Sequence, residues 1–463
     1  MQPTRVPALN RSISQLRAAL NGRVIAPDDA DYDGARAVFY GWVDRRPALI
    51  VRAAEATEVS QVVALARETG LPLAVRGGGH SLAGHGVADG GIVLDLAGLR
   101  ALRIDAARRT AWAETGLTAG AYTAAAAAHG LATGFGDTGS VGIGGLTLGG
   151  GVGFLVRKHG LTIDDLLAAD VVTADGRLRR ADAEAHPDLF WAIRGGGGNF
   201  GVATRFRFRL HEVGTVVGGL LLLPATPAVI RAFVAEAEAA PEALSTIANI
   251  LPAPPLPFVP PEQHGRLVIM ALLAYAGAVE AGQRAIAPFR ALAAPIADLV
   301  RPMRYPELYA LTEGGPRPVG ESARSLFVDA VDQGAAEAIV EHLRASTAPL
   351  SVAQLRVLGG AMARVPAGAT AFAHRRRRVM VAVGAVYERP EEAAVHDAWV
   401  TRFAAALRQG DAGVYVNFLG DEGPERVRAA YPGATWDRLR AVKARYDPTN
   451  LFRLNQNNPP TKA

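Results

Sequence analysis

The chain has no cysteine in 463 residues. That excludes disulfides and thiolate metal sites, and it leaves nothing that requires an oxidising compartment. No apolar run approaches the ~20 residues that a membrane-crossing helix needs. The longest, around residues 216–223, is far shorter, and the opening residues M-Q-P-T-R-V-P-A-L-N-R-S lack the apolar core of a signal peptide. The expected location is cytoplasmic, with no membrane partner. Neither a metal-ligand spacing nor a catalytic triad stands out, so no metal is expected. Aromatic residues are also scarce, at 6%.

That scarcity bears on nucleic-acid binding, the class raised by the charge. Lys and Arg number 49 against 44 Asp and Glu, a net charge of +5. The charges are spread along the chain. The one dense run, residues 374–378 (H-R-R-R-R), leads into the apolar stretch Val379–Tyr387 and reads as the solvated lead-in to a strand, so no nucleic-acid partner is expected. With 49% hydrophobic and 20% charged residues, the chain is ordinary globular material, long enough for two domains with their own cores.

What the chain has is glycine, in three clusters within its first half. The first is R-G-G-G-H-S-L-A-G-H-G at 76–86. Gly77, Gly78 and Gly79 have no Cβ, so successive N–H groups can converge on a pyrophosphate, with Arg76 as a nearby positive charge. Apolar runs at 71–75 and 92–96 read as strands on either side. Strand, loop, strand differs from the strand, glycine turn and helix of a Rossmann dinucleotide site. The second cluster, G-F-G-D-T-G-S-V-G-I-G-G-L-T-L-G-G-G-V-G at 134–153, predicts no stable helix, since each glycine costs roughly 1 kcal/mol relative to alanine. The third, R-G-G-G-G-N-F-G at 194–201, follows a strand and hairpin turn at 171–176. Together they point to one large, extended ligand.

The loop R-G-G-G-H-S, the run V-G-I-G-G-L-T-L-G-G-G-V-G-F-L-V-R-K-H-G-L, the run D-L-F-W-A-I-R-G-G-G-G-N-F-G and the ending Y-D-P-T-N-L-F-R-L-N-Q-N together resemble the berberine bridge enzyme-like branch of the vanillyl-alcohol oxidase (PCMH-type FAD-binding) superfamily. The resemblance covers nearly the whole chain. It implies FAD bonded through its 8α carbon to His80, and places Arg76, Gly77, Gly78, Gly79, Ser81, Gly84, Thr138, Val141, Gly142, Gly145, Gly149, Gly151, Val172, Tyr415, Asn417 and Asn455 at the cofactor. Many relatives carry a second link through a cysteine just before the V-G-x-G-G run. Thr138 stands at about that position here, so the resemblance implies a single histidyl link, as in bacterial members similar to nicotine-type amine oxidases and antibiotic-pathway oxidases.

The pattern along the chain predicts an α+β protein. Residues 1–212 form the expected FAD-binding domain, to which the resemblance implies that 411–463 return, and 213–410 the expected substrate domain, an antiparallel sheet covered on one face by helices. An amphipathic helix is expected at 13–20, and others at 58–69 and 118–129. In the second domain, strands are expected at 216–223, 267–275, 351–358 and 379–387, and helices at 228–239, 278–292 (with Pro288 as a possible stop or kink) and 391–409. A strand at 414–419 and one helix over 424–446 close the chain.

The implied reaction is hydride transfer from an alcohol, an amine or an activated C–H of a small secondary-metabolite-like substrate to flavin N5, with dioxygen reduced to hydrogen peroxide. Tyr415 is the first candidate base and needs a neighbour that lowers its pKa from ~10. Asn417, two positions on, shares its face if the strand is regular. Gln354 stands where some relatives carry a glutamate facing the substrate, and an amide cannot be a general base. Arg356 shares Gln354's face and reads as a surface or structural cation. Thr138 and Val141 are the candidates for governing oxygen access at the flavin, and the space left near Thr138 keeps flavin-dependent monooxygenation open. A noncovalent flavin reductase and a non-enzymatic nucleotide-binding protein are the remaining alternatives. A monomer or homodimer is expected.

Overall fold

Short apolar runs without alternation suit strands covered on both faces. In a computed structural model, which describes residues 14–20, 23–313, 320–410 and 413–461, three of them, Leu49–Arg52, Ile92–Asp95 and Leu73–Arg76, pair in parallel, with Val24–Ile25 antiparallel at one edge. The helix Ala56–Thr69 lays Val59, Val62, Val63 and Ala66 on this sheet. It stops at Gly70, whose φ of 66° suits glycine. The first helix covers residues 14–19 and buries Leu16 and Leu20; Ile13 and residues 1–12 lie outside the described residues.

A second sheet is antiparallel, in the order Leu102–Asp105, Thr110–Glu114, Val202–Arg209, Leu166–Val172, Leu178–Asp182. The helix Ala119–Ala127 starts on Thr118, whose hydroxyl accepts from Ala121 N–H. The closing segment is two helices, Pro424–Ala430 and Ala434–Tyr446, because Pro432 and Gly433, at φ 59°, interrupt the single helix expected there. Leu439, Val442 and Tyr446 join the same apolar core as Phe206 and Phe208 of the second sheet, and their helix packs against Pro187–Ala192. The chain end is thereby fixed to the glycine-rich first half.

The third sheet has eight strands, all antiparallel: Ala297–Asp298, Thr215–Pro224, Leu267–Tyr275, Leu244–Pro252, Leu350–Val357, Val379–Tyr387 and Gly320–Val328 in order, with Arg301–Arg304 also on Thr215–Pro224. Helices Pro227–Ala239, Val279–Arg290, Gln333–Arg344 and Ala393–Ala406 bury one face, where Val381, Val383 and Leu355 meet Phe233, Ile339 and Phe403. The α+β class and the helix-covered antiparallel sheet are as the sequence implied. Pro288 sits inside Val279–Arg290, which ends two residues later. No helix among the described residues is long and apolar enough to cross a membrane.

Four expectations need correction. Ile143–Gly149 is a helix despite its glycines, because close backbone packing, not propensity, decides that segment. Residues 414–419 form a 3-10 turn at Val416–Phe418 in place of a strand. In the region 213–410 the strands Leu244–Pro252 and Gly320–Val328 and the helix Gln333–Arg344 were not foreseen, nor, earlier in the chain, were the strands Leu102–Asp105, Thr110–Glu114, Leu178–Asp182 and Val202–Arg209. The basic run is only partly solvated, since Arg375 is fully buried and doubly bonded to Asp164 at 2.7 and 2.8 Å.

Candidate functional site

The first two glycine clusters interlock. A Cβ on Gly78 would sit 2.4 Å from the Gly142 nitrogen, and one on Gly142 equally close to the Gly78 nitrogen, so neither position accepts a side chain. Gly79, at φ 74°, accepts Phe39 N–H on its carbonyl at 3.2 Å. That bond holds Phe39 against His80, their rings stacked at 4.0 Å between centroids. Ser81 Oγ accepts from His85 N–H, and Gly84 also has positive φ. Burial lowers the pKa of His85 to about 4, so that imidazole is neutral at ordinary pH.

Arg76 is not a phosphate ligand in waiting. Its guanidinium is buried, paired with Asp95 at 2.9 Å and donating to the carbonyls of Ala35 and Ala37. Three hydrogen bonds commit this guanidinium to the fold. Its work is to anchor the segment that presents Phe39. Val172 is likewise a core residue, on a strand that packs against the helix Ala56–Thr69.

Tyr415 and Asn417 do come together, through the 3-10 turn. Tyr415 Oη accepts from Gly151 N–H at 2.7 Å and from Asn417 Nδ2 at 2.9 Å, and Asn417 also donates to the Leu146 carbonyl. A Cβ on Gly149 would collide with the Asn417 amide at 2.0 Å, which explains glycine there. Burial pushes the Tyr415 phenol up to about 12, against the lowering effect of both donors and of Arg356. The base role therefore meets the wrong sign of shift. With two donors aimed at its oxygen, the neutral phenol is left with its own proton to give.

Thr138 and Val141 stay close in the second loop, Val141 N–H bonding the Thr138 carbonyl. Gly145 is exposed and open around its Cα. Beside Thr138, Asp137 receives Arg356 Nη2 at 2.6 Å. Arg356 is buried, with Nε on Gln354 Oε1 at 2.8 Å and its guanidinium 5.2 Å from the centre of the Phe418 ring. Gln354 Nε2 in turn donates to Asn249 Oδ1 at 2.8 Å. Arg356 is therefore no surface cation. It is the centre of a chain running Asn249, Gln354, Arg356, Asp137 that joins sheet and glycine loop.

Asn249, Asp137, Phe39 and Tyr40 were not singled out from sequence. Asp137 adjoins Thr138, and F-Y-G-W at 39–42 is a dense aromatic patch in an aromatic-poor chain, so both had a signal. Asn249 had none, because its strand was unread.

The residues present fit an FAD. The cradle made by Gly78 and Gly142 admits backbone contact only, and on the returning C-terminal segment the buried Oδ1 atoms of Asn455 and Asn457 have no hydrogen-bond partner among the described residues, as a polar ligand would require. Asn455 Nδ2 meanwhile donates to the Phe452 carbonyl.

The comparisons with known proteins agree with this geometry. An FAD binding domain family matches residues 47–182, and the berberine and berberine-like family matches 414–459. The (R)-6-hydroxynicotine oxidase of Paenarthrobacter nicotinovorans is 32% identical over 466 aligned residues, spanning 96% of this chain and 97% of that protein. The FAD-linked oxidoreductase YvdP of Bacillus subtilis is 31% identical, spanning 96% and 99%. Among solved structures, 6-hydroxy-D-nicotine oxidase from Arthrobacter nicotinovorans superposes with TM-score 0.84 at 28% identity over 94% of this chain and 97% of the other. A xylooligosaccharide oxidase from Myceliophthora thermophila, in complex with xylobiose, gives 0.84 at 26%, over 98% and 100%. The chain belongs to the berberine bridge enzyme-like family of FAD-linked oxidoreductases, within the PCMH-type FAD-binding fold.

Proposed function

We propose that this chain is an oxidase whose FAD is held by one covalent bond, through His80, and that it oxidises an alcohol, an amine or an activated C–H of a small secondary-metabolite-like molecule. The observation that carries the reading is the seating of His80. It lies in a loop whose backbone interlocks with the second glycine cluster, and Phe39 stacks on its ring. With no cysteine in the chain, a second thioether link has no donor. Bound FAD would supply the hydride acceptor and the route by which electrons reach dioxygen as hydrogen peroxide. The protein's share is orientation. Tyr415 presents a neutral hydroxyl, and Arg356, Gln354 and Asn249 form the polar wall opposite the glycine loops.

The test is a panel of alcohols, amines and phenolic or polyketide-like compounds, scored for anaerobic bleaching of the flavin and for peroxide in air. A substrate that bleaches the flavin and yields one peroxide per product supports the oxidase. Oxygen from dioxygen in the product would move the chain to the monooxygenases.

A further inference from the structure

Charges withdrawn from water need partners, and the buried acids of this chain have them. Glu58 meets Arg23, Asp95 meets Arg76, Asp165 meets His211, Asp170 meets Arg180 and Arg205, and Asp447 meets Lys443. Glu321 departs from this pattern. It is the second residue of the strand Gly320–Val328, is recessed but not sealed, and among the described residues it has neither a hydrogen bond nor an ion pair.

Its placement gives the acid a purpose. Along this strand Leu326 and Val328 point beneath the helices, whereas Phe327 packs with Tyr415, Phe372 and Met380, and Ser325 Oγ donates to the Phe418 carbonyl. Alternation puts Glu321 and Ala323 on the same face as Ser325 and Phe327. The register continues that face across two strands, from Ser325 through Ala382 to Gln354 and from Ala323 through Gly384 to Val352. Glu321 is thus about 13 Å along the strand and about 10 Å across the sheet from Gln354. The floor between them is made of the small residues Ala323, Gly384 and Ala382. At the far end the Glu321 carboxylate acts on the Tyr40 phenol and helps raise its pKa. The Tyr40 ring stands edge-on to Phe39 at 5.1 Å, and Phe39 stacks on His80. One face of the sheet therefore carries, at its His80 end, a carboxyl with no ion-pair partner among the described residues, and the Gln354 and Arg356 network at the other.

We propose that Glu321 is the counter-ion for a cationic group of the substrate, so that the site takes an elongated amine with its ammonium at the His80 end and its body along the small-residue floor towards Gln354. The inference rests on the reading of this face as the substrate wall. Glu321 is a specificity-determining residue and takes no part in bond breaking. Burial alone raises its pKa to about 7, so the acid is charged only above that pH unless a cation sits beside it. The Tyr40 phenol, raised by its own burial, stays protonated throughout this range.

The test uses the purified holoprotein and three probes of one length, n-octylammonium, 1-octanol and octanoate, followed by calorimetry and by the difference spectrum of the bound flavin. At pH 8 the wild type should bind octylammonium at least tenfold more tightly than octanol and should bind octanoate more weakly than either. Glu321→Gln should lose the ammonium preference while keeping its affinity for octanol, and Glu321→Asp should keep most of it. The wild-type preference should grow between pH 6 and pH 8 and be flat in Glu321→Gln. A wild type without preference, or a preference that survives in Glu321→Gln, overturns the proposal. Failure of the flavin reading is separate, because it appears as a preparation without flavin while calorimetry still reports the charge preference.

Discussion

The two walls of the site are built from opposite materials. On the glycine side the backbone makes the surface: Gly78, Gly142, Gly149 and Gly151 are placed so that any Cβ would strike within 2.4 Å of Gly142 N, Gly78 N, the Asn417 amide or the Thr162 hydroxyl. On the sheet side the surface is made by side chains, with Asn249, Gln354 and Arg356 bonded in series to Asp137. A backbone surface tolerates no substitution but asks for no particular side chain. A side-chain surface tolerates change in volume and is specific in charge. The glycine wall accordingly suits a fixed cofactor, and the sheet wall a substrate that differs from one relative to another.

Substitutions on the two walls should separate flavin binding from turnover. The largest effect belongs to Lys443, which is fully buried and donates to Asp447, to Asn199 O of the third glycine cluster and to Phe452 O of the returning segment. Lys443→Met strands the Asp447 carboxylate and should lower stability by about 3–5 kcal/mol, read as a drop in the urea midpoint together with loss of flavin. Gly78→Ala drives a methyl group into backbone that cannot retreat, so a cost of about 3 kcal/mol is expected, seen as a low ratio of flavin to protein absorbance. Either variant with full flavin content would break the comparison.

Arg356→Met should do the reverse. It removes a charge-assisted pair worth about 1.5–3 kcal/mol, so kcat/KM should fall about 10- to 100-fold while flavin content stays that of the wild type. The smallest effect is expected from Tyr415→Phe, which leaves the Gly151 and Asn417 donors without their acceptor at a cost of about 1–2 kcal/mol. Because the Tyr415 pKa is raised to about 12, the phenol remains protonated across ordinary pH. The wild-type rate profile should therefore show no ionisation from this residue below about pH 10, and an essential deprotonated Tyr415 would show itself as a rate that climbs steadily towards that pH.

The same division explains what the sequence disclosed. The glycine loops were legible because glycine has few other reasons to cluster so densely, and the apolar strands Leu267–Tyr275 and Val379–Tyr387 were read to the residue. Gly320–Val328 was missed because its site-facing positions, Glu321 and Ser325, interrupt the apolar pattern with the polarity that makes them useful. Arg375 was read as solvated and Arg356 as either a surface or a structural cation, since their partners, Asp164 and Asp137, are 211 and 219 residues away. Arg76, read as a positive charge beside the cofactor, is paired with Asp95 on the next strand, and side-chain pairing across strands is invisible in a local motif. Ile143–Gly149 shows propensity overruled by packing, a helix formed where Gly142 meets Gly78.

The central claim is that His80 alone fastens the cofactor. Its most direct test is the mass of the proteolytic peptide spanning His80 from denatured wild-type protein. The account predicts a peptide heavier by one flavin cofactor and fluorescent, with no other flavin-bearing peptide and none from His80→Ala. An unmodified His80 peptide, with all flavin released into the supernatant, would contradict it.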